Sequence, residues 1–303
     1  MAASLRELRQ RRSSVSATKK ITQAMELIAA SRITKAQQRA RAAAPYSREL
    51  TRAVSAVASL SDVEHPLTTD PVSPTRAAML LITADQGLAG AYSTNALKRG
   101  DQLVEHLHES NLEVDTYLTG RKGVDFYQFR SRPVVESWQG FSQEPTYAKA
   151  REIANTLLDA FLRPTEEGGV DEIHIVYTQY VSRITQQPEV LRLLPLEVVE
   201  AEEPVSAEEL HPLYDFEPNA QEVMDALLPL YIASRIQYCL LQSAASELAS
   251  KQTAMKAATD NAQELIEDLT RQANQARQAQ ITQEISEITG GAAALAESNA
   301  ESE

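Results

Sequence analysis

Apolar positions at the start of the chain recur three and four residues apart. Leu5, Leu8 and Val15 are followed by Ile21, Met25 and Ile28, and a helix turns that period into one stripe. Arg, Lys, Gln, Ser and Ala fill the remaining positions, so a helix is expected from about Ser4 to Leu60. Pro45 should bend or interrupt it, and the three prolines between His65 and Pro74 mark a loop. The other end of the chain has a longer pattern of the same kind. Asn219 can cap a helix, with Glu222 three residues on as its capping-box partner. From there a seam runs through Tyr231, Tyr238, Leu241, Ala245, Leu248, Met255, Ala262, Ile266, Leu269, Ala273 and Ala276. This is coiled-coil spacing, and its alanines allow close approach of a partner helix. The helix is expected to reach about Ile288, with Pro229 kinking its first turns. At ~1.5 Å per residue it would be roughly 100 Å long, more than one globule of this size can bury.

Between the two ends the period changes. Buried-strand runs are read at Ala77–Thr83, Val114–Thr119, Val134–Trp138, Glu172–Thr178 and Leu193–Val199, with helices near Thr94–Glu109 and Tyr147–Leu162. Strand and helix in alternation argue for a mostly parallel sheet with helical cover. Glycine supports the same division. None of the ten precedes Gly87, eight lie from Gly87 to Gly169, and the last two are Gly290 and Gly291. Glycine is costly inside helices and useful in turns. The predicted organisation is a long helix over 1–60, an α/β domain over 76–200, an acidic loop over 201–218, a second long helix over 219–289 and a small-residue, polar tail over 290–303. The fold class is mixed α/β and α+β: a long antiparallel coiled coil of the N- and C-terminal helices with an inserted Rossmann-like α/β domain.

Charge strengthens the pairing. The net charge of −13 hides a split, because residues 1–52 hold twelve Arg or Lys against Glu7, Glu26 and Glu49, a net of +9 that leaves −22 for the rest. A basic first helix thus meets a net acidic last helix, and such a split also marks an interaction surface. No run approaches the ~18 apolar residues of a membrane span. Cys239 is the only cysteine, so neither an internal disulfide nor a Cys-x-x-Cys metal site can form. Met1–Lys20 has the Arg- and Ser-rich composition of an organelle-targeting segment, but its periodicity continues past residue 30 unbroken, as in a mature helix.

Candidate chemistry is sparse. The Gly87–Gly90 turn after a strand invites a phosphate-loop reading, yet it matches neither Gly-x-Gly-x-x-Gly nor Gly-x-x-x-x-Gly-Lys-Ser/Thr. His106 and His108 are two apart on a helix and face different ways, His174 is on a strand, and His65 and His211 are in loops. The carboxylates form no pair suited to acid–base work. The basic run Arg6–Arg52 could meet nucleic acid, but Tyr46 is its only aromatic residue and the chain as a whole is acidic.

Several segments, in order along nearly the whole chain, resemble the gamma subunits of rotary F-type ATP synthases. They are Lys19–Gln37 (Lys-Lys-Ile-Thr-Gln-Ala-Met-Glu-Leu-Ile-Ala-Ala-Ser-Arg-Ile-Thr-Lys-Ala-Gln), Thr83–Gly90 (Thr-Ala-Asp-Gln-Gly-Leu-Ala-Gly), Tyr214–Pro218 (Tyr-Asp-Phe-Glu-Pro), Met255–Ala262 (Met-Lys-Ala-Ala-Thr-Asp-Asn-Ala), Arg277–Ile288 (Arg-Gln-Ala-Gln-Ile-Thr-Gln-Glu-Ile-Ser-Glu-Ile) and Gly290-Gly-Ala292. Gln86 stands where the family commonly has Arg, and Arg32 where Lys is common. The paired cysteines of the redox-regulated chloroplast form are absent. The wording of the matches is most like that of a high-GC Gram-positive bacterium.

The resemblance implies a non-catalytic rotor, without cofactor or metal, inside a ring of alpha and beta subunits. Its foot would join the epsilon subunit and the membrane c-ring at the cytoplasmic face of the bacterial plasma membrane. By the same match, Met25, Arg277, Gln278 and Thr282 would contact the catalytic beta subunits. The basic first helix would face acidic beta loops. Two readings from other classes compete: an α/β enzyme with helical arms, dehydrogenase-like, and a coiled-coil scaffold. A saturable nucleotide site on the purified chain would favour the enzyme.

Overall fold

A computed structural model describes residues 4–60, 67–69, 71, 73–196, 217 and 219–300. The acidic loop expected over 201–218 falls outside these residues apart from Glu217. The chain divides into two units, one built from Ile28–Thr253 and the other from Met1–Leu27 with Ala254–Glu303. The first helix, α1, spans Leu5–Leu60, and the last, α5, spans Ala220–Ala300.

In the larger unit, β1 (Arg76–Ile82), β2 (Glu113–Thr119), β3 (Glu136–Trp138), β4 (Glu172–Tyr180) and β5 (Gln186–Leu194) form one sheet in the order β3-β2-β1-β4-β5. The β1–β2, β1–β4 and β2–β3 pairs are parallel, and β4–β5 is antiparallel. Alternation along β1 separates two cores. Ala78, Leu80 and Ile82 face a cluster holding Ile153 and Leu157 of α4 (Tyr147–Leu162) together with Leu228, Ile232 and Ile236 of α5. Ala77, Met79 and Leu81 face Leu103 and Leu107 of α2 (Tyr92–Glu109) and Val124 and Tyr127 of α3 (Arg121–Phe129). Gly100 lets α2 lie close on the sheet, since a Cβ there would stand 3.3 Å from Leu81. In the same unit Ile33 and Ala36 of α1 are buried with Ala245, Leu248 and Ala249 of α5.

The smaller unit is a helix pair. Leu8 packs with Leu269 and Ala273. Lys19 Nζ donates to Gln263 Oε1 at 2.7 Å, and the hydroxyls of Thr22 and Thr259 are 2.8 Å apart. Higher positions on α1 meet lower positions on α5, so the two run antiparallel. The α1 start carries a reciprocal capping box: Glu7 N–H donates to Ser4 Oγ at 3.3 Å and Ser4 N–H to Glu7 Oε2 at 2.9 Å.

Several expectations need correction. The seam of α1 is Leu8, Val15, Thr22, Ala29 and Ala36, whereas Ile21 and Ile28 are 60% and 53% exposed. Small residues let the helices approach, and the larger isoleucines one position earlier fall on the outer face. Pro45 does not interrupt its helix, and the helix likewise runs on through Pro229. Gly290 and Gly291 also lie inside α5, with nothing within 4 Å of a Cβ at either; helix content therefore passes the expected end at 289. The last strand begins at Gln186 and ends at Leu194, earlier than the Leu193–Val199 run. As an edge strand it tolerates Pro188 and a run of half-buried polar residues, which hid it. The strand expected at Val134–Trp138 shrinks to Glu136–Trp138, and α3 was not anticipated because Gly123 interrupts its pattern. At the start of α5, Glu222 N–H donates to Asn219 Oδ1 at 2.9 Å, as expected of the cap.

Candidate functional surface

In an open parallel sheet, ligands bind beyond the carboxyl ends of the strands where the strand order reverses. Here that crevice lies beyond β1 and β4, and the chain's own side chains fill it. Thr83 donates from its hydroxyl to Thr119 O at 2.8 Å and receives Gly123 N–H at 2.9 Å. Gly120, at φ +89°, brings its backbone so close that a Cβ would fall 2.2 Å from Thr83 O. Asp85 takes the place of a bound anion: its carboxylate accepts from Arg121 N–H, at the start of α3, at 3.1 Å and from Ser142 N–H at 2.8 Å. From α5, Ser243 Oγ accepts from Thr178 N–H at 3.1 Å, Ser246 Oγ donates to Thr178 O at 3.0 Å, and Gln242 Oε1 accepts from Tyr180 N–H at 3.1 Å. Beneath them Tyr92 is buried, and desolvation, aided by the nearby Glu247 charge, raises its phenol pKa. Grooves of about 500 and 470 Å³ in this unit lie beside α1 and α5, lined by residues such as Arg39, Tyr147, Arg48 and Arg235.

The remaining titratable groups fit structural roles. His174 sits 2.9 Å from Glu172 Oε2, and burial lowers its pKa despite that carboxylate. Burial pushes the Cys239 thiol up to about 12, which leaves it inert. Among the described residues no cluster of three His, Cys, Asp or Glu could hold a metal, and no helix is long and apolar enough to cross a membrane.

The four residues picked from the sequence lie in the smaller unit, in two places. Met25 is half-buried on α1, three residues from Thr22. Arg277, Gln278 and Thr282 are exposed on α5, just past Ala276. Thr22 is level with Thr259, so ~1.5 Å per residue separates Met25 from Arg277 by roughly 25 Å or more. The three α5 residues do not share one narrow face. Thr282 Oγ1 donates to Gln278 O at 3.0 Å, but Arg277 lies about 140° round the helix from Thr282. Between them runs a stripe that sequence reasoning missed: Ile281, Ile285 and Ile288, 44%, 56% and 70% exposed. Its spacing of four and three residues is that of the seam, but the step from Ala276 to Ile281 is five, so the stripe lies on a different face of α5 from the residues that meet α1. On α1, Ile21 and Leu27 are also exposed, at 60% and 67%. Arg183 lies in the β4–β5 turn of the larger unit, beside the exposed Val181 and Ile184.

The comparisons with known proteins agree across the chain. A family model described as ATP synthase matches residues 4–295. The ATP synthase gamma chain of a Nocardioides species is 60% identical over 303 residues, with both chains fully covered. That of Streptomyces coelicolor is 58% identical over 304 residues, again with full coverage of both. Among solved structures, a chain of the Euglena gracilis mitochondrial ATP synthase assembly of OSCP, F1 and c-ring aligns with a TM-score of 0.66 at 17% identity, covering 96% of this chain and 94% of that one. A chain of the rotor from the same source aligns with a TM-score of 0.62 at 15% identity, covering 91% and 98%.

Proposed function

Because the chain belongs to the ATP synthase gamma chain family and its curated relatives are actinobacterial, we propose that it is the central-stalk rotor, non-catalytic in itself. In this role it couples proton-driven turning of a membrane c-ring to conformational cycling of the catalytic beta subunits. The observation that carries the reading is the end of α5 beyond Ala276. It is a helix with Arg277, Gln278 and Thr282 flanking exposed Ile281, Ile285 and Ile288, a surface suited to an enclosing protein sleeve. A rotor must interact differently with each catalytic state it drives. One charged residue beside an apolar stripe suits that task, since a cation–carboxylate hydrogen bond is worth about 1.5–3 kcal/mol and depends steeply on orientation.

Met25 and the basic face of α1 are further beta-subunit contacts in this reading. The larger unit joins the epsilon subunit and the c-ring, which holds the chain peripherally at the cytoplasmic face of the plasma membrane. The enzyme reading is disfavoured by the filled strand-end crevice.

The test is ATP hydrolysis by the assembled soluble complex carrying Arg277→Ala or Arg183→Ala. Arg277→Ala slows turnover while the isolated chain stays folded. Arg183→Ala spares soluble hydrolysis and weakens association with epsilon or the c-ring. Wild-type rates for both variants with normal assembly would remove Arg277 from the torque-bearing face. The purified chain by itself is expected to neither bind nor hydrolyse ATP.

A further inference from the structure

Glu247 lies on the face of α5 that fills the strand-end crevice of the larger unit, and its side chain is 0% exposed. Burial raises its pKa, against Gln143, Ser142 and Lys251, which favour the charged form. Its Oε1 accepts from Gln143 Nε2 at 2.7 Å, while Oε2 has no hydrogen-bond partner. Lys251, one turn on and 7% exposed at its side chain, holds its Nζ 3.7 Å from Glu247 Oε1. A buried ion pair with an unsatisfied oxygen is weak as a stabilising device, because well-packed apolar residues of the same volume do as well or better. Stability therefore does not account for a carboxylate at this position.

Its connections do. Gln143, in the loop between β3 and α4, accepts at Oε1 from Arg32 Nη1 of α1 at 2.8 Å. Lys251 donates to Gln86 Oε1, in the turn after β1, at 3.3 Å. An amide at position 86 can accept from an ammonium, which a cationic side chain could not. One buried carboxylate thus stands at the junction of two chains of contact, Glu247–Gln143–Arg32 and Glu247–Lys251–Gln86. They reach α1 and both loops that border the crevice. The adjoining loop contacts of Asp85 with Ser142 and Arg121 do not pass through α5, so they do not replace this link.

We propose that Glu247 is a positioning residue for rotary coupling: it fixes α5 in one register against α1 and the strand-end loops, so that these elements turn together. The proposal rests on the rotor reading above. Partners in one hydrogen-bonded network depend on each other, and removing Glu247 cuts the link between the Arg32–Gln143 and Lys251–Gln86 contacts.

The experiment uses the full membrane-bound complex in inverted vesicles, measuring ATP hydrolysis and proton uptake together, with thermal melting of the full-length chain measured alongside. The variants are Glu247→Leu, the double variant Glu247→Leu/Lys251→Met, and Gln143→Ala. Glu247→Leu lowers the melting temperature, since Lys251 is left buried without a counter-charge. The double variant recovers melting, because both charges are gone. In all three, protons taken up per ATP hydrolysed fall by roughly three- to tenfold, the scale set by coupling within a contact network. Gln143→Ala keeps both charges of the buried pair, and the melting measured on the same variant separates a folding defect from lost coupling. A wild-type proton-to-ATP ratio in the double variant or in Gln143→Ala overturns the proposal and leaves Glu247 a structural residue only. If the complex with the wild-type chain hydrolyses ATP but takes up no protons, the rotor reading itself fails, and the two failures are told apart.

Discussion

The two units use the same helices in opposite ways. In the larger unit α1 and α5 lie against a five-stranded sheet, and Leu80, Leu81, Ile153, Leu157, Ile173 and Leu194 are sealed from solvent. In the smaller unit the pair has only itself to pack against, and its buried apolar cluster is Leu8, Leu269 and Ala273, with Leu5, Val15 and Ala276 partly covered. A two-helix layer covers one stripe on each member and leaves the rest in water. The larger unit seals a core on both faces of its sheet, and the smaller one leaves the stripe Ile281, Ile285 and Ile288 in water. That contrast explains why a filled crevice and an exposed isoleucine stripe occur in one chain: the sheet has covering layers on both faces, and each helix of the pair has one neighbour.

The contrast can be broken most forcefully at the sheet. Leu157→Ala, at a site with no exposure, should cost about 2–5 kcal/mol, read by denaturant unfolding of the full chain with a parallel loss in every probe. A loss under 1 kcal/mol would mean that the α4 layer is not the cooperative core.

Next comes the helix pair. Ala262→Glu, at an 8% exposed seam position, should cost about 1–3 kcal/mol through overpacking. The cost should appear locally, as lost amide hydrogen-exchange protection in 5–27 and 254–276, with protection of the sheet unchanged. Equal loss in both units would refute their separation.

Much of this contrast was legible in the sequence. The 3,4-spaced seam of α5 named positions that are all buried or half-buried, from Tyr231 to Ala276. The runs around Leu80, Leu118 and Ile175 gave their strands within a residue or two. What the sequence hid has physical causes. The α1 seam runs through Thr22 and Ala29 because two close-packed helices favour small residues over hydrophobic ones, so a hydrophobicity reading selected Ile21 and Ile28 instead. The edge strand at Gln186–Leu194 is masked by Gln, Pro and Glu, which an unburied edge permits. Met25, Arg277, Gln278 and Thr282 were chosen on family motifs and remain a proposal; the exposed isoleucine stripe could have been found from its period alone. Glu247 carried no local signal, because a glutamate in a helix has the same appearance in sequence whether it faces solvent or a sheet.

A third, smaller effect probes the amino-terminal edge of the sheet. Asp171 accepts from Thr75 N–H at 2.7 Å, Arg76 N–H at 3.0 Å and Thr165 Oγ1 at 2.8 Å. Burial pushes its pKa up, but these donors outweigh it and hold the pKa below the ordinary carboxylate value. With the folded pKa below the unfolded one, the contribution is complete above the unfolded value and is lost as pH falls through the folded one. Asp171→Asn should therefore be less stable than wild type at neutral pH, and the gap should close as pH falls below the ordinary aspartate range and through the lowered folded-state value. A gap independent of pH would assign the effect to packing. Last and smallest, Gly290→Ala adds a Cβ that meets nothing within 4 Å. It should raise local helicity by up to about 1 kcal/mol, visible by circular dichroism, and leave the melting of the sheet unmoved.

The antiparallel helix pair also sets a timetable for synthesis. Thr22 and its partner Thr259 are 237 positions apart in the chain. At about 5–20 residues per second, α1 leaves the ribosome roughly 12 to 50 seconds before the segment that will cover it. A first helix lined with large aliphatic residues would spend that interval as an aggregation hazard. Between Thr22 and Ala36 the contact line of this helix is mostly threonine and alanine, under a coat of arginine and lysine, which limits the apolar surface it shows to water while it waits. The small residues that let the helices close together therefore also reduce the apolar surface that α1 exposes before its partner is made.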